Sequence, residues 1–220
     1  NVRISHRVST PNADDITTRA IVYYANDSTT NITKKIINKP IKPLKIDQLK
    51  KGKGYFEEAI LIQEPFDFSL KNYYAIDAQH EVLKRLIFPE KFAAAQRFTI
   101  SKDQRDFLLE AMHRLPRELG YDTKEYYDSY VKFFMYGDNQ EPIPTTIEIY
   151  NKVGYAYGTL TDCAYIKDTE NKIDFLITAT ILVNKNEIFN DNDYEYDTVG
   201  IPFLAALGRV LYQQELARKK

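Results

Sequence analysis

Cysteine and histidine are scarce in this chain of 220 residues, and neither sign of charge is in excess. The lone cysteine, Cys163, excludes a disulfide framework within the chain and any zinc site built from several thiolates. His6, His80 and His113 are too scattered for a local motif such as H-E-x-x-H, so neither a metal nor a cofactor is expected. Lys and Arg total 30 against 31 Asp and Glu, a net charge of −1. No global field recruits nucleic acid or an anionic membrane, and no nucleic-acid partner is expected. Long hydrophobic runs are missing as well. The longest, around Phe175–Val183, contains two threonines and falls far short of the roughly 20 residues that span a bilayer. The chain opens at Asn1 with no initiator Met, no positively charged start and no apolar signal core, which suggests a processed product or a chain lacking its natural beginning. What is present is 44% hydrophobic and 13% aromatic residues, enough for a packed core in one ordinary domain or two small ones.

Residues 1–98 read as an N-terminal part and 99–220 as a second part of what is expected to be one structural domain. Val2-Arg3-Ile4-Ser5 alternates, Ala20–Tyr24 is apolar, and a polar stretch with Pro11 separates them, so short strands joined by loop are expected. From about Asn26 to Gly54 the chain is polar and then lysine-rich, with Pro40 and Pro43 forbidding a long helix. Without interleaved aromatics this stretch reads as a solvated extension rather than a phosphate-binding patch. Asn26-Asp27-Ser28 and Asn31-Ile32-Thr33 match the short glycosylation sequon.

Helical spacing dominates the middle. A helix is expected from Ser69 to about Phe88, stopped by Pro89, and a second begins at the capping box Ser101-Lys102-Asp103-Gln104 and ends by Pro116. A third, announced by Asp122-Thr123-Lys124-Glu125, carries Tyr126, Tyr127, Tyr130, Val131 and Phe134, an aromatic stripe expected to face the core, and ends at Gly137. After Pro142 and Pro144 the period changes: Thr146–Lys152, Tyr155–Lys167 and Lys172–Asn184 read as an antiparallel meander. A terminal helix, roughly Thr198–Arg218, is expected to cover it.

The candidate chemistry lies in Lys152-Val153-Gly154-Tyr155, where a lysine and a glycine meet at the end of the first meander strand. A cation there meets an anionic substrate group; glycine lets a ligand approach the backbone, and the following N–H can face a developing oxyanion. By itself the tripeptide is common, and an ordinary strand ending in a glycine turn is the commoner explanation of it. Cys163 reads as a small buried hydrophobe, and His80 and His113 as surface or half-buried. Asp191, Asp193, Glu195 and Asp197 lack EF-hand spacing and read as an acidic loop.

The order of these elements resembles the C-terminal part of the penicillin-recognising serine hydrolases, the β-lactamases and penicillin-binding proteins. Lys152-Val153-Gly154 is similar to their Lys-Thr-Gly motif, and the resemblance runs over about residues 99–218, through Tyr157–Ile166, Phe175–Val183 and Tyr194-Glu195-Tyr196-Asp197. It is strongest to uncharacterised β-lactamase-like serine hydrolases of the Bacteroidetes type. The resemblance implies that Lys152 supplies positive charge to the substrate's anionic group and to the proton relay. Val153 and Gly154 would border the substrate, and the Tyr155 backbone N–H would form half of an oxyanion hole. The family's nucleophile belongs to a Ser-x-x-Lys motif far upstream of Lys-Thr-Gly; Ser129-Tyr130-Val131-Lys132 stands too close to Lys152 to be it, and the family's Ser-Asp-Asn is absent. No nucleophile is therefore expected in this chain. Val153 also departs from the motif, losing the hydroxyl that helps hold a substrate carboxylate.

The expected fold is α+β, an antiparallel sheet backed by helices, of the β-lactamase/transpeptidase type, C-terminal portion only. By resemblance the whole protein is an extracytoplasmic acyl-transfer enzyme acting on a carboxylate-bearing amide or ester, of the cell-wall peptide or β-lactam class. This chain alone would be inactive. A non-catalytic binding or scaffold protein on the same fold is the alternative. The last meander strand would be an open edge, covered by residues 1–25, by another copy, or by a separate N-terminal part of the same protein.

Overall fold

The computed structural model describes residues 2–4, 17–26, 29–39 and 41–219. His6, Pro11 and Pro40 lie outside them, as does part of the first sequon. In chain order the first half carries strands β1 (Val2–Arg3), β2 (Thr17–Thr18), β3 (Val22–Asn26), β4 (Thr29–Ile32), β5 (Ile36–Ile37), β6 (Lys50–Lys51), β7 (Gly54–Glu57), β8 (Ile60–Ile62), β9 (Phe66–Asp67) and β10 (Tyr73–Tyr74). There follow helices α1 (Ile76–Ile87), α2 (Lys102–His113) and the short α3 (Phe133–Tyr136), then strands β11 (Ile147–Ala156), β12 (Thr159–Asp168), β13 (Ile173–Leu182) and β14 (Ile188–Phe189), and the terminal helix α4 (Ile201–Lys219).

The architecture is α+β. Its centre is the antiparallel meander β11-β12-β13, in register over all ten residues of each strand. Two local devices set that register. Tyr157 and Gly158, at φ +54° and +74°, form a two-residue hairpin turn that needs left-handed backbone at both positions. A Cβ on Gly158 would also meet the Val183 carbonyl at 2.8 Å. At the other hairpin the Asp168 carboxylate accepts from the backbone N–H groups of Glu170 (2.9 Å) and Asn171 (3.0 Å), and from Tyr212 Oη on α4 (2.6 Å). The same group thus folds the turn and ties it to the helix behind.

Both faces of the sheet are covered. On one, Phe133, Phe134, Ile149, Leu160, Ile166 and Leu204 form the main core, with α4 packed over it. On the other, Leu83, Ile87 and Cys163 make a smaller core with Tyr150, Tyr165 and residues of α1 and α2. Burying such side chains contributes roughly 1.5–3 kcal/mol each, so the meander and its helices are where stability is concentrated. The first half is built from two- and three-stranded ladders, including one parallel pairing, β14 with β7. A ring cluster joins that half to the hairpin tip: Phe66 stacks on Tyr157 at 5.4 Å and Phe68 meets Phe189 edge-on at 5.2 Å.

Several expectations need correction. The helix expected from Ser69 starts only at Ile76, because Tyr73–Tyr74 pair with Val2–Arg3 and Arg3 donates to the carbonyls of Ser69 and Lys71. The third helix does not form as one element. Residues Asp128–Val131 make a 3₁₀ turn and α3 is only four residues long, with Met135 at φ +67°. Inward-pointing polar side chains break it: Asp128 takes Arg117 and the Ile143 N–H, and Lys132 reaches carbonyls of other elements. Its stripe is core only in part, since Phe134 is buried while Tyr130 is exposed. The first meander strand does not end at Lys152-Val153-Gly154 but runs on to Ala156, Gly154 pairing with Thr161.

The described part of residues 1–25 does not cover β13 either. β1 pairs with β10, β2 with β5 and β3 with β4. Among the described residues no strand pairs with the outer side of β13. Among them, too, no helix is long and apolar enough to cross a membrane.

Candidate functional site

Alternation along β11 assigns each residue of the motif a direction. Odd-numbered side chains from Ile147 to Val153 enter the main core, while Tyr150 and Lys152 face α1 and α2. Backbone groups alternate too. Thr169 N donates to Thr146 O (2.9 Å), so this pair and every second pair after it, down to Gly154 with Thr161, exchange ladder bonds. The N–H and C=O groups of Ile147, Ile149, Asn151, Val153 and Tyr155 therefore point away from β12, to the outer edge of the sheet.

The first half of that edge is closed. Ile147 N donates to Pro144 O (2.9 Å), and Ile149 O accepts from Lys132 Nζ (2.9 Å). Lys132 is buried at 1% exposure and also donates to Met112 O (2.6 Å) and Asn151 Oδ1 (2.8 Å). Asn151 passes the connection on, its Nδ2 donating to Asp162 Oδ1 (3.0 Å), while Asp162 Oδ2 accepts from Phe133 N (3.1 Å) and Phe134 N (3.4 Å). Burial pushes the Lys132 ammonium down to about 8 and the Asp162 carboxyl up to about 6, each partly opposed by the other's charge. This network clamps β11 at the residue immediately before Lys152.

Beyond the clamp no strand pairs with the edge among the described residues. Lys152 is exposed and its ammonium turns back onto the edge, donating to Val153 O at 2.5 Å. Val153 is half-buried against the main core. Gly154 is exposed, its φ lies outside the left-handed region, and a Cβ there would meet nothing within 4 Å. Neither backbone conformation nor packing within the described residues demands glycine at this position. The Tyr155 N–H points outward, and its ring, 61% exposed, lies against Tyr196 at 5.0 Å. The four residues read from the sequence thus sit together on one open strand edge, with Lys152 and Tyr155 side chains on opposite faces and their edge-facing groups adjacent.

Ser129 is placed away from this edge. It is 1% exposed and its hydroxyl donates to Asn139 O, while Lys132 is fully occupied by its three acceptors. Cys163 is buried, its sulfur accepting from Thr178 Oγ1 (3.2 Å). His80 Nδ1 lies 3.0 Å from the same hydroxyl, and His113 stacks on Tyr150 at 4.9 Å. Burial, and then Lys132, hold the His113 imidazolium below its ordinary range. Asp191 accepts from Asn186 Nδ2 (2.7 Å) and from Asp193 N (3.1 Å), contacts that shape a loop.

Two cavities flank β11. The larger, about 480 Å³, lies on the face of α1 and α2 and is lined by His113, Glu148, Tyr150, Tyr165 and Lys167 among others; no residue of the motif reaches it. The smaller, about 190 Å³, opens beside Val153 and Tyr155 and is walled by Tyr127, Tyr130, Phe133, Tyr196 and Asp197. Tyr127 and Tyr130 belong to the stripe expected to face the core, and only the spatial meeting of that stripe with Tyr196 reveals the cavity. No protein-family model, curated protein or solved structure matches this chain.

Proposed function

We propose that this chain is the substrate-edge half of a β-lactamase-like serine hydrolase. Substrate would bind along the open part of β11, its reacting carbonyl facing the Tyr155 N–H and its anionic group meeting the Lys152 ammonium. The reading is carried by one observation: the edge-facing N–H of Tyr155 and the Lys152 ammonium share a strand edge that no strand pairs with among the described residues, with a glycine between them that the packing of those residues does not require. An N–H aimed where negative charge develops stabilises the transition state of acyl transfer, and removing such a donor typically costs about 100- to 1,000-fold in rate. The acyl acceptor would be a serine outside these residues, and the compartment extracytoplasmic. The outer edge of β13, unpaired among the described residues, stands against the reading unless a further strand covers it, so the reading requires that strand.

A non-catalytic binding protein on the same fold is the second reading. Val153 favours it, since its side chain packs toward the core and offers no hydroxyl to a substrate carboxylate. Intact-mass spectrometry of the full-length protein containing this chain, after incubation with a penicillin and separately with a fluorophosphonate, decides between them. An adduct on a serine, lost or strongly slowed in Lys152→Ala, is the expected result. No adduct with either reagent, from protein shown to be folded, overturns the hydrolase reading in favour of the binding protein.

A further inference from the structure

The small cavity beside Val153 and Tyr155 has a composition of its own. Its walls carry five aromatic rings, those of Tyr127, Tyr130, Phe133, Tyr155 and Tyr196, beside four aliphatic side chains, and Asp197 is the carboxylate among them; of the described residues no lysine, arginine or histidine lines it. The rings are fixed by one another and by the backbone. Tyr196 Oη accepts from Gly158 N at 2.7 Å, Tyr155 lies 5.0 Å from Tyr196, and Tyr127 meets Tyr130 edge-on at 6.1 Å. Aromatic faces are negative, and a cation within about 6 Å of a ring centroid is attracted to them. Asp197 is exposed and forms no ion pair among the described residues. Tyr130 and Tyr155 remain 46% and 61% exposed although they border a concavity.

Size limits the guest. Whole-ligand pockets run from about 300 to 1,000 Å³, and a cavity of about 190 Å³ suits a side-chain head instead. We infer that this cavity is a subsite for the alkylammonium group of a ligand lying along β11. Resting on the proposed function, this makes the substrate an amide or ester whose acyl part carries a primary amine, with its carboxylate at Lys152 and its ammonium at Asp197. A neutral aliphatic head would fill the same volume and meet the aliphatic part of the lining, but would leave the Asp197 carboxylate without a cation.

The test is a nuclear magnetic resonance titration of the isotope-labelled full chain with Nα-acetyl-lysine amide and, in parallel, with its neutral counterpart Nα-acetyl-norleucine amide. The lysine probe is expected to give saturable shifts at the amides of Tyr155, Tyr196 and Asp197, with the norleucine probe at least about tenfold weaker. Asp197→Asn and Tyr130→Leu, both at exposed side chains and checked for folding by circular dichroism, should each weaken the lysine probe by about fivefold or more. Equal binding of the two probes, absence of saturable shifts at these amides, or affinity unchanged in both variants overturns the inference. The outcome is separable from that of acylation. Lysine-probe binding here without any acyl adduct leaves the subsite standing and the hydrolase reading refuted. An adduct without probe binding does the reverse.

Discussion

Replacing Lys132 by methionine keeps the length and most of the volume of the side chain and removes only its ammonium. Three acceptors then lose their donor: Met112 O, Ile149 O and Asn151 Oδ1, at 2.6, 2.9 and 2.8 Å. Lys132 and Asn151 are buried, at 1% and 6% exposure, so water replaces the ammonium poorly. A buried acceptor left unsatisfied costs about 1–3 kcal/mol. Asp162, at 0% exposure, loses its nearby positive charge but keeps the N–H groups of Phe133, Phe134 and Asn151. Protonation of Asp162 relieves the remaining charge, which limits the total. Removing one partner of a buried ionic network typically costs about 3–5 kcal/mol, and that is the expected loss here. With a urea dependence of about 2–3 kcal/mol per molar, the unfolding midpoint should fall by roughly 1–2.5 M. The chain has no tryptophan, so urea titrations should follow tyrosine fluorescence together with far-ultraviolet circular dichroism. Hydrogen exchange should in parallel show faster opening of β11 around Asn151 and Lys152. A midpoint shift below about 0.3 M, corresponding to under about 1 kcal/mol, would refute the idea that Lys132 clamps the strand.

The Asp162 carboxyl is raised from 3.8 to about 6 by burial, so the native state binds the extra proton and this group's contribution to stability is greatest below pH 3.8 and lost as pH rises through about 6. Wild type minus Asp162→Asn stability should accordingly fall between about pH 4 and 6, by at most about 3 kcal/mol, and parallel urea-derived curves across that interval would rule this out. Gly208→Ala places a Cβ 2.6 Å from Met135 N and 3.0 Å from Phe134 Cβ, pressing α4 off α3. Overpacking of about 1–3 kcal/mol should outweigh the roughly 1 kcal/mol gained in helix propensity, giving a lower melting temperature; an unchanged or higher one would show that the helices yield freely. Gly154→Ala meets nothing within 4 Å and should leave thermal stability unchanged or slightly raised, while acylation of the full-length protein falls at least about tenfold. Retained acylation would show that no ligand approaches that backbone.

Local chemistry was readable in advance and distant chemistry was not. Ser101 caps α2 as its sequence indicates, accepting from Gln104 N at 3.1 Å while Gln104 Oε1 accepts from Ser101 N at 2.9 Å, because both partners lie within one turn. The meander likewise follows from alternation and from turn residues at Tyr157-Gly158 and Asp168-Asn171. The start of α1 was misjudged because Tyr73–Tyr74 answer to Val2–Arg3, across some seventy residues, and periodicity within a window carries no trace of such a partner. The third helix failed for a related reason. Lys132 has an ordinary helical setting in sequence, but its acceptors come from residues 112, 149 and 151, and their hydrogen bonds outweigh a helical preference worth at most a few tenths of a kcal/mol per residue.

At the candidate site the same division decides what each level of description contributes. Residue types alone suggested a cation, a glycine and an N–H in sequence, but they also suggested a break at the glycine. Had β11 ended there, Tyr155 would lie in a turn with its N–H unconstrained. Because the strand continues to Ala156, alternation is preserved through Gly154, and the N–H of Tyr155 takes its direction from a hydrogen bond nine residues earlier, between Thr169 N and Thr146 O. The clamp at Asn151 then holds the closed half of the edge against the core, and beyond it, among the described residues, no strand pairs with Val153 or Tyr155. Orientation of the site is therefore a property of the whole ladder, and a one-residue slip of β11 against β12 would turn the Tyr155 N–H inward and erase it.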